Sequence, residues 1–141
     1  MQRLDSLTIG IDQGSLVLFS DYQDGGTMWT GEGPRELRRI VEFGTRYRRA
    51  PVVQVSLSMW DMDHKANSRM DISAEMVTEE GFVIVFRTWG DTRVARVRAE
   101  SFPVSNVDLT LSLKLPPVEG YARRGGEIIA QQLAAVGIKT E

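Results

Sequence analysis

The chain has 141 residues, a length that fits one compact domain with an appendage, because two separate cores would each bury too little apolar surface to offset chain entropy. Its composition is that of an ordinary globular protein, 42% hydrophobic and 26% charged, with a net charge of -2 and no cysteine. Disulfides, thiolate nucleophiles and cysteine metal sites are thereby excluded. The near-neutral charge, spread along the chain, also removes the basic stripe that displaces counterions from a phosphate backbone, so nucleic acid is not an expected partner.

The N-terminal segment MQRLDSLTIGIDQGS lacks the long apolar core of a secretory signal, and no run approaches the roughly 20 apolar residues that span a bilayer. A soluble chain without membrane insertion is expected. Thr8 to Ile11 and Ser15 to Ser20 are short apolar runs separated by the turn-type cluster Asp12-Gln13-Gly14, and they read as a hairpin. Asp21 to Pro34 is rich in glycine and aspartate and reads as an ordered loop with only Met28 and Trp29 to bury. Trp29 has two readings there, a ligand platform or a plug at the core edge.

Periodicity is clearest in the middle of the chain. Alternation in Val53 to Met59 puts Val53, Val55, Leu57 and Met59 on one buried face, and Met70 to Val77 repeats it with Ile72, Ala74 and Met76 inward. A Glu79-Glu80-Gly81 turn then precedes Phe82 to Phe86, a run apolar on both faces that needs cover on both sides, inside a sandwich or at a subunit interface. Arg93 to Ala99 alternates again. Short strands joined by glycine and acidic turns, with no helical period between them, indicate an all-β antiparallel sandwich rather than βαβ units.

The C-terminal stretch differs. Val107 to Leu115 alternates strictly and reads as an amphipathic strand ended by Pro116-Pro117. Glu119 to Gly126 reads as a polar linker, and Glu127 to Val136 as a short helix with Gly137 at its C′ position. The division that follows is a sandwich with its N-terminal hairpin over residues 1–104 and a strand, linker and helix extension over 105–141. No internal repeat or low-complexity segment interrupts it.

Few residues offer chemistry. His64 is the sole histidine, and no nucleophile motif such as G-x-S-x-G accompanies it. Asp61, Asp63 and His64 present oxygen and nitrogen to a cation, but without the ligand spacing of an EF-hand or zinc site. Asp61 reads as capping its own turn and His64 as solvated. Gly25-Gly26 and Gly31-Glu32-Gly33 lack the lysine and hydroxyl that complete a phosphate loop. Neither a metal, nor a cofactor, nor an enzyme activity is expected. Arg69, preceding a strand, and Trp89, in the turn Thr88-Trp89-Gly90-Asp91-Thr92, have sugar-site chemistry, because an aromatic face packs on pyranose C–H groups while charged groups bridge hydroxyls. Separately, each also reads as an ordinary turn or rim residue.

The order of features resembles the H-type lectin domain family of snail agglutinins and discoidin C-terminal domains. The resemblance is carried by Ile40-Val41-Glu42-Phe43, Pro51-Val52-Val53 with the alternating strand into Asp61, Asn67 to Arg69, Val77 to Phe82, and Thr88-Trp89 to Asp91-Thr92-Arg93-Val94. It covers about Gly31 to Phe102. It implies a six-stranded antiparallel β-sandwich that forms a trimer or a dimer of trimers, with galactose or N-acetylgalactosamine bound where subunits meet, in the service of glycan recognition and cell adhesion. Carried over by position, the site arginine is Arg69, the tryptophan is Trp89 with Gly90 after it, and the acidic residue, counted back from Arg35-Glu36-Leu37, is Glu32 beside Gly31. Three departures stand out: Gly90 replaces a larger side chain, Glu32 replaces an aspartate, and Phe102 occupies the region of a missing tryptophan.

Two functional readings follow. The first is a multivalent carbohydrate-binding lectin, cytoplasmic as synthesised and reaching glycans outside the cell or on a particle surface by a non-classical route. The second is a structural or interaction protein whose C-terminal extension docks into a larger assembly such as a phage-like particle or secretion complex.

Overall fold

The computed structural model describes residues 8–107, 110–111, 121–135 and 139–140. In chain order these form β1 (Ile9–Ile11), β2 (Gly14–Ser20), α1 (Asp21–Asp24), α2 (Thr27–Thr30), β3 (Arg35–Glu42), β4 (Val52–Met62), β5 (Met70–Glu75), β6 (Gly81–Thr88), β7 (Val94–Asn106), β8 (Thr110–Leu111), α3 (Tyr121–Ala135) and β9 (Lys139–Thr140). Two antiparallel sheets carry the fold. In one, β7 is central, with β4 on one edge and β1 followed by β2 along the other; in the second, β6 lies between β3 and β5. Because β1 and β2 share one edge, the sandwich has six strand positions. Leu18, Phe82, Ile84, Phe86, Val94 and Val97 fill the space between the sheets.

The expected N-terminal hairpin does not form. Ile11 pairs with Val104 and Gly14 with Ser101, so the two segments keep one register along β7 and never pair with each other. The break at Asp12-Gln13 has its cause across the sheet. Asp12 donates its N–H to the Pro103 carbonyl at 3.1 Å, but proline has no N–H to return, so the two-way exchange of an antiparallel pair fails at that step. The buried Tyr47 hydroxyl takes up the rest of the site, donating to the same carbonyl at 3.1 Å.

Bulges account for other departures from simple alternation. The register of β2 shifts between Val17 and Phe19, which lets both Leu18 and Phe19 turn inward. In β4 it shifts between Leu57 and Met59, so Met59 pairs with the solvent-facing Arg98 instead of continuing the core row, and Met62 rejoins the core opposite Val94. Met76, expected inward, is 73% exposed with φ 51, because the chain leaves β5 at Glu75 to enter the Thr78 turn. That turn is closed by the Thr78 N–H to Gly81 carbonyl bond at 2.8 Å.

β6 is covered on both faces, by two means. Phe82, Ile84 and Phe86 enter the core; Val85, on the opposite face, is also fully buried. Its cover is an ion-pair lattice in which Arg38 bonds Glu36 at 2.7 Å and Glu75 at 3.1 Å, while Arg87 bonds Glu36 at 2.8 Å and also Glu75. The long aliphatic stems of such residues shield apolar surface while their heads stay wet. The Arg38 and Arg87 guanidiniums hold the Glu36 carboxyl below its ordinary value near 4.5, and Arg87 foremost, with Arg38, does the same for Glu75. Carboxyls depressed on folding add stability that is complete above the unfolded value and lost as pH falls through the folded one. The melting temperature is therefore expected to hold from neutral pH down to about pH 5 and to drop below it, while Arg87→Met lowers the neutral value and flattens the acid limb. Melts followed by circular dichroism across that range check this.

After β7 only part of the expected C-terminal strand is described. Val107 forms an isolated bridge to Tyr47, and Thr110–Leu111 pairs in parallel with Lys139–Thr140; the remainder of Val107 to Leu115, and Gly137, lie outside the described residues. α3 starts at Tyr121 and so takes in much of the stretch that reads as linker. Among the described residues no helix is long and apolar enough to cross a membrane.

Candidate functional site

The candidate residues gather where β6 ends. Thr88 faces inward and donates its hydroxyl to the Arg69 carbonyl at 2.7 Å, and Thr92 donates to the Asn67 carbonyl at 2.6 Å. These two bonds fasten the segment before β5 against the turn after β6. Trp89, one residue on, emerges on the outer face and is 44% exposed. With Pro34, Glu36, Asp71 and Arg87 it lines an open cleft of about 650 Å³.

Arg69 lies over the turn. Its Nη1 donates to Asp91 Oδ1 at 2.5 Å, and the guanidinium packs directly on Gly90. Gly90 has φ 69, and a Cβ there would lie 3.2 Å from Arg69 Nη1. Glycine is therefore favoured at this position by its left-handed backbone, while a Cβ would ask the Arg69 guanidinium to give way by a few tenths of an ångström. What reads in the sequence as a lost side chain is the seat of Arg69.

The glycine-rich loop is more ordered than its composition suggests, since Asp21–Asp24 and Thr27–Thr30 each form one helical turn. The Asp21 carboxylate accepts the Met28 N–H at 2.9 Å and sets Met28 into the core. Trp29 packs edge-on against the exposed Tyr22 at 5.1 Å, half-buried and outside the core cluster, so it does not plug the core edge. Gly31 continues from the second turn, where a Cβ would meet the Thr27 carbonyl oxygen at 2.6 Å.

Arg35 joins this loop to the Trp89 turn. Its Nε donates to the Gly33 carbonyl at 3.1 Å, its Nη1 to Gly31 at 2.7 Å and Met28 at 3.3 Å, and its Nη2 to Thr92 at 2.7 Å and Gly90 at 3.3 Å. Gly33 adds a direct bond, its N–H to the Gly90 carbonyl at 2.9 Å. Burial lowers the Arg35 pKa, Glu32 opposes that shift, and Arg93 reinforces it. Glu32 itself is exposed and makes no hydrogen bond among the described residues. The structure thus places Arg69 and Gly90 in contact, Trp89 beside them over the cleft, and Gly31 and Glu32 on a loop pinned to the same turn within one chain.

Two residues escaped the sequence reading. Arg35 was legible only as a landmark for counting, because its partners are backbone carbonyls. Asp91 was legible as a turn residue, although an acidic group two positions after an exposed tryptophan was the available signal. Elsewhere, the turn after β4 is closed by Asp63 and not by Asp61: Asp63 Oδ1 accepts the Lys65 N–H at 3.1 Å, while Asp61 is exposed in β4 opposite Arg96. His64 is exposed, 3.6 Å from the same carboxylate. No three His, Cys, Asp or Glu residues group to hold a metal among the described residues.

Comparison with known proteins accords with this geometry. Over 100 residues, 71% of this chain and 87% of the relative, the sequence is 61% identical to ORF 7 of an ATP synthase subunits region in Fuscovulum blasticum. Two structures of discoidin II from Dictyostelium discoideum superpose with TM-scores of 0.62 and 0.64 over 71% and 77% of this chain, at 21% and 19% identity. The chain spans only 38% and 40% of those discoidin chains. The family model of the H-type lectin domain matches residues 38–100, from Arg38 in β3 to Glu100 in β7, so that this stretch of the chain carries the H-type lectin domain pattern.

Proposed function

We propose that the chain is a carbohydrate-binding module, not an enzyme, and that Arg69, Trp89, Gly90 and the Gly31–Gly33 loop form its sugar site. The observation that carries this reading is the Arg35 clamp, which holds the loop bearing Glu32 and the turn bearing Trp89 as one surface before any ligand arrives. Such a site has the parts a pyranose needs: an exposed indole for its C–H face, guanidinium donors and carboxylate acceptors for its hydroxyls. Galactose or N-acetylgalactosamine is the proposed ligand class. A shallow polar site must strip water from hydroxyls before replacing it, so single-site binding is weak, and useful strength comes from several sites on a homo-oligomer, a trimer in the first instance.

A glycan array probed with the wild type and Arg69→Ala tests the site. The wild type is expected to bind galactose-type glycans, and the variant to lose about tenfold or more, the scale of one charge-assisted bond to a hydroxyl. Binding to no glycan by folded protein overturns the carbohydrate reading; binding that survives the substitution moves the site elsewhere.

One observation favours a second role for the C-terminal region that follows β7. α3 leaves Ile128 and Ile129 exposed, an apolar pair suited to docking within a larger assembly.

A further inference from the structure

We propose that Asp91 is a ligand-binding residue, and that the Arg69–Asp91 pair reads two neighbouring hydroxyls of one sugar ring, with Asp91 accepting from one and Arg69 donating to the other. This rests on the carbohydrate reading above.

The pair's position is hard to account for by stability alone. The Arg69 and Asp91 side chains are 31% and 65% exposed, and ion pairs so open to water contribute little to folding. Yet the local backbone is shaped around the pair, through the left-handed Gly90 and the two threonine bonds that fix the segments carrying Arg69 and the turn. Preorganisation of exposed charges is what a binding site requires.

The free valences match a diol. Arg69 uses Nη1 for Asp91 and, at 3.5 Å, for the Asn67 carbonyl, leaving Nε and Nη2 without a partner among the described residues. The Asp91 carboxylate engages Arg69 through Oδ1, accepts from its own backbone N–H, and bonds no other side chain among the described residues. A hydroxyl both donates and accepts, so adjacent hydroxyls satisfy an acceptor and a donor held side by side. Since the two charges already offset each other, a ligand arriving there isolates neither. Arg69, with the Asp91 backbone N–H, holds the Asp91 carboxyl below its ordinary value, which favours its ionised, acceptor form. Trp89, 44% exposed and two residues earlier, supplies the apolar wall. The division of labour follows: Asp91 is the principal acceptor, and Glu32, lacking any anchoring bond, is the lesser one.

The experiment uses the full chain as wild type, Asp91→Asn, Glu32→Gln and Arg69→Ala. Each is titrated against immobilised galactose, N-acetylgalactosamine, glucose and mannose conjugates, and then against singly deoxygenated forms of the best-bound sugar. Asp91→Asn is expected to weaken binding about tenfold or more, and more than Glu32→Gln, while the melting temperature moves by only about 2 °C. The deoxy sugars separate contact from mere positioning. If Asp91 touches the ligand, removal of one hydroxyl no longer matters in Asp91→Asn, and removal of a different hydroxyl no longer matters in Arg69→Ala. Coupling of both variants to the same hydroxyl, or Asp91→Asn binding within about twofold of wild type, overturns the proposal and leaves the carbohydrate reading standing. A folded wild type that binds none of the conjugates overturns both.

Discussion

Arg35→Ala is expected to destabilise the sandwich by about 3 kcal/mol and to cut glycan affinity by more than its effect on the folded fraction, because it removes the charge-assisted donors of five carbonyl acceptors at once. Those acceptors lie on two segments just beyond the Arg35–Thr88 end of the β3–β6 ladder: Met28, Gly31 and Gly33 on one side, Gly90 and Thr92 on the other. With the guanidinium gone, the described backbone link between them beyond that ladder is the Gly33–Gly90 bond. One neutral hydrogen bond, at about 1 kcal/mol, does not hold two glycine-rich segments in register against their conformational entropy. Arg35→Lys keeps the charge but not the planar fork, and a single ammonium cannot span acceptors on both sides, so it is expected to recover part of the stability and little of the affinity. Urea melts, titration of the best array ligand and amide exchange at Gly33 and Gly90 check the three consequences. A stability loss under about 1 kcal/mol together with unchanged exchange refutes the clamp.

The same contacts explain what could be read from the sequence. Alternation located β5 and the start of β7 because a pleat of period two reports burial directly, an unbroken apolar run located β6, and Phe82, Ile84, Phe86, Val97 and Ala99 all lie in the core. It failed at Met59 and Met76, where a bulge and a turn insert residues that no local pattern marks. The Asp12-Gln13-Gly14 break was visible but misassigned, since its cause is Pro103 on a strand distant in sequence. α3 extends through Gly125-Gly126 although two glycines together cost about 2 kcal/mol of helix propensity, and composition weighs that cost more heavily than propagation from both flanks does.

At the site, Arg69 and Trp89 were accessible by position, being side chains whose chemistry is their own. Arg35 acts on backbone oxygens, and Gly90 acts by lacking a Cβ where a guanidinium approaches; neither property is written in the residue type. Asp91 acquires its role only once the turn brings it to Arg69.

Phe86→Ala is expected to show the opposite balance to Arg35→Ala. Phe86 is fully buried in the central strand of its sheet, paired with Leu37 on β3 and Ile72 on β5, and its ring packs on Phe19 across the sandwich at 5.3 Å. Truncating such a ring costs about 3–5 kcal/mol through lost transfer energy and the cavity left behind. Against a total of roughly 5–15 kcal/mol for a domain, that lowers the melting temperature on the order of 15 °C or more. The cavity opens toward the core, whereas Trp89, Gly90 and Asp91 are fixed from the other side by Arg35, Thr88 and Thr92. Molecules that remain folded should therefore bind with near wild-type affinity, so that affinity per folded molecule drops in Arg35→Ala but not in Phe86→Ala. Thermal melts paired with titrations well below each transition measure the two quantities independently. If Phe86→Ala weakens binding as much as Arg35→Ala does, the site is held by the core and not by the clamp.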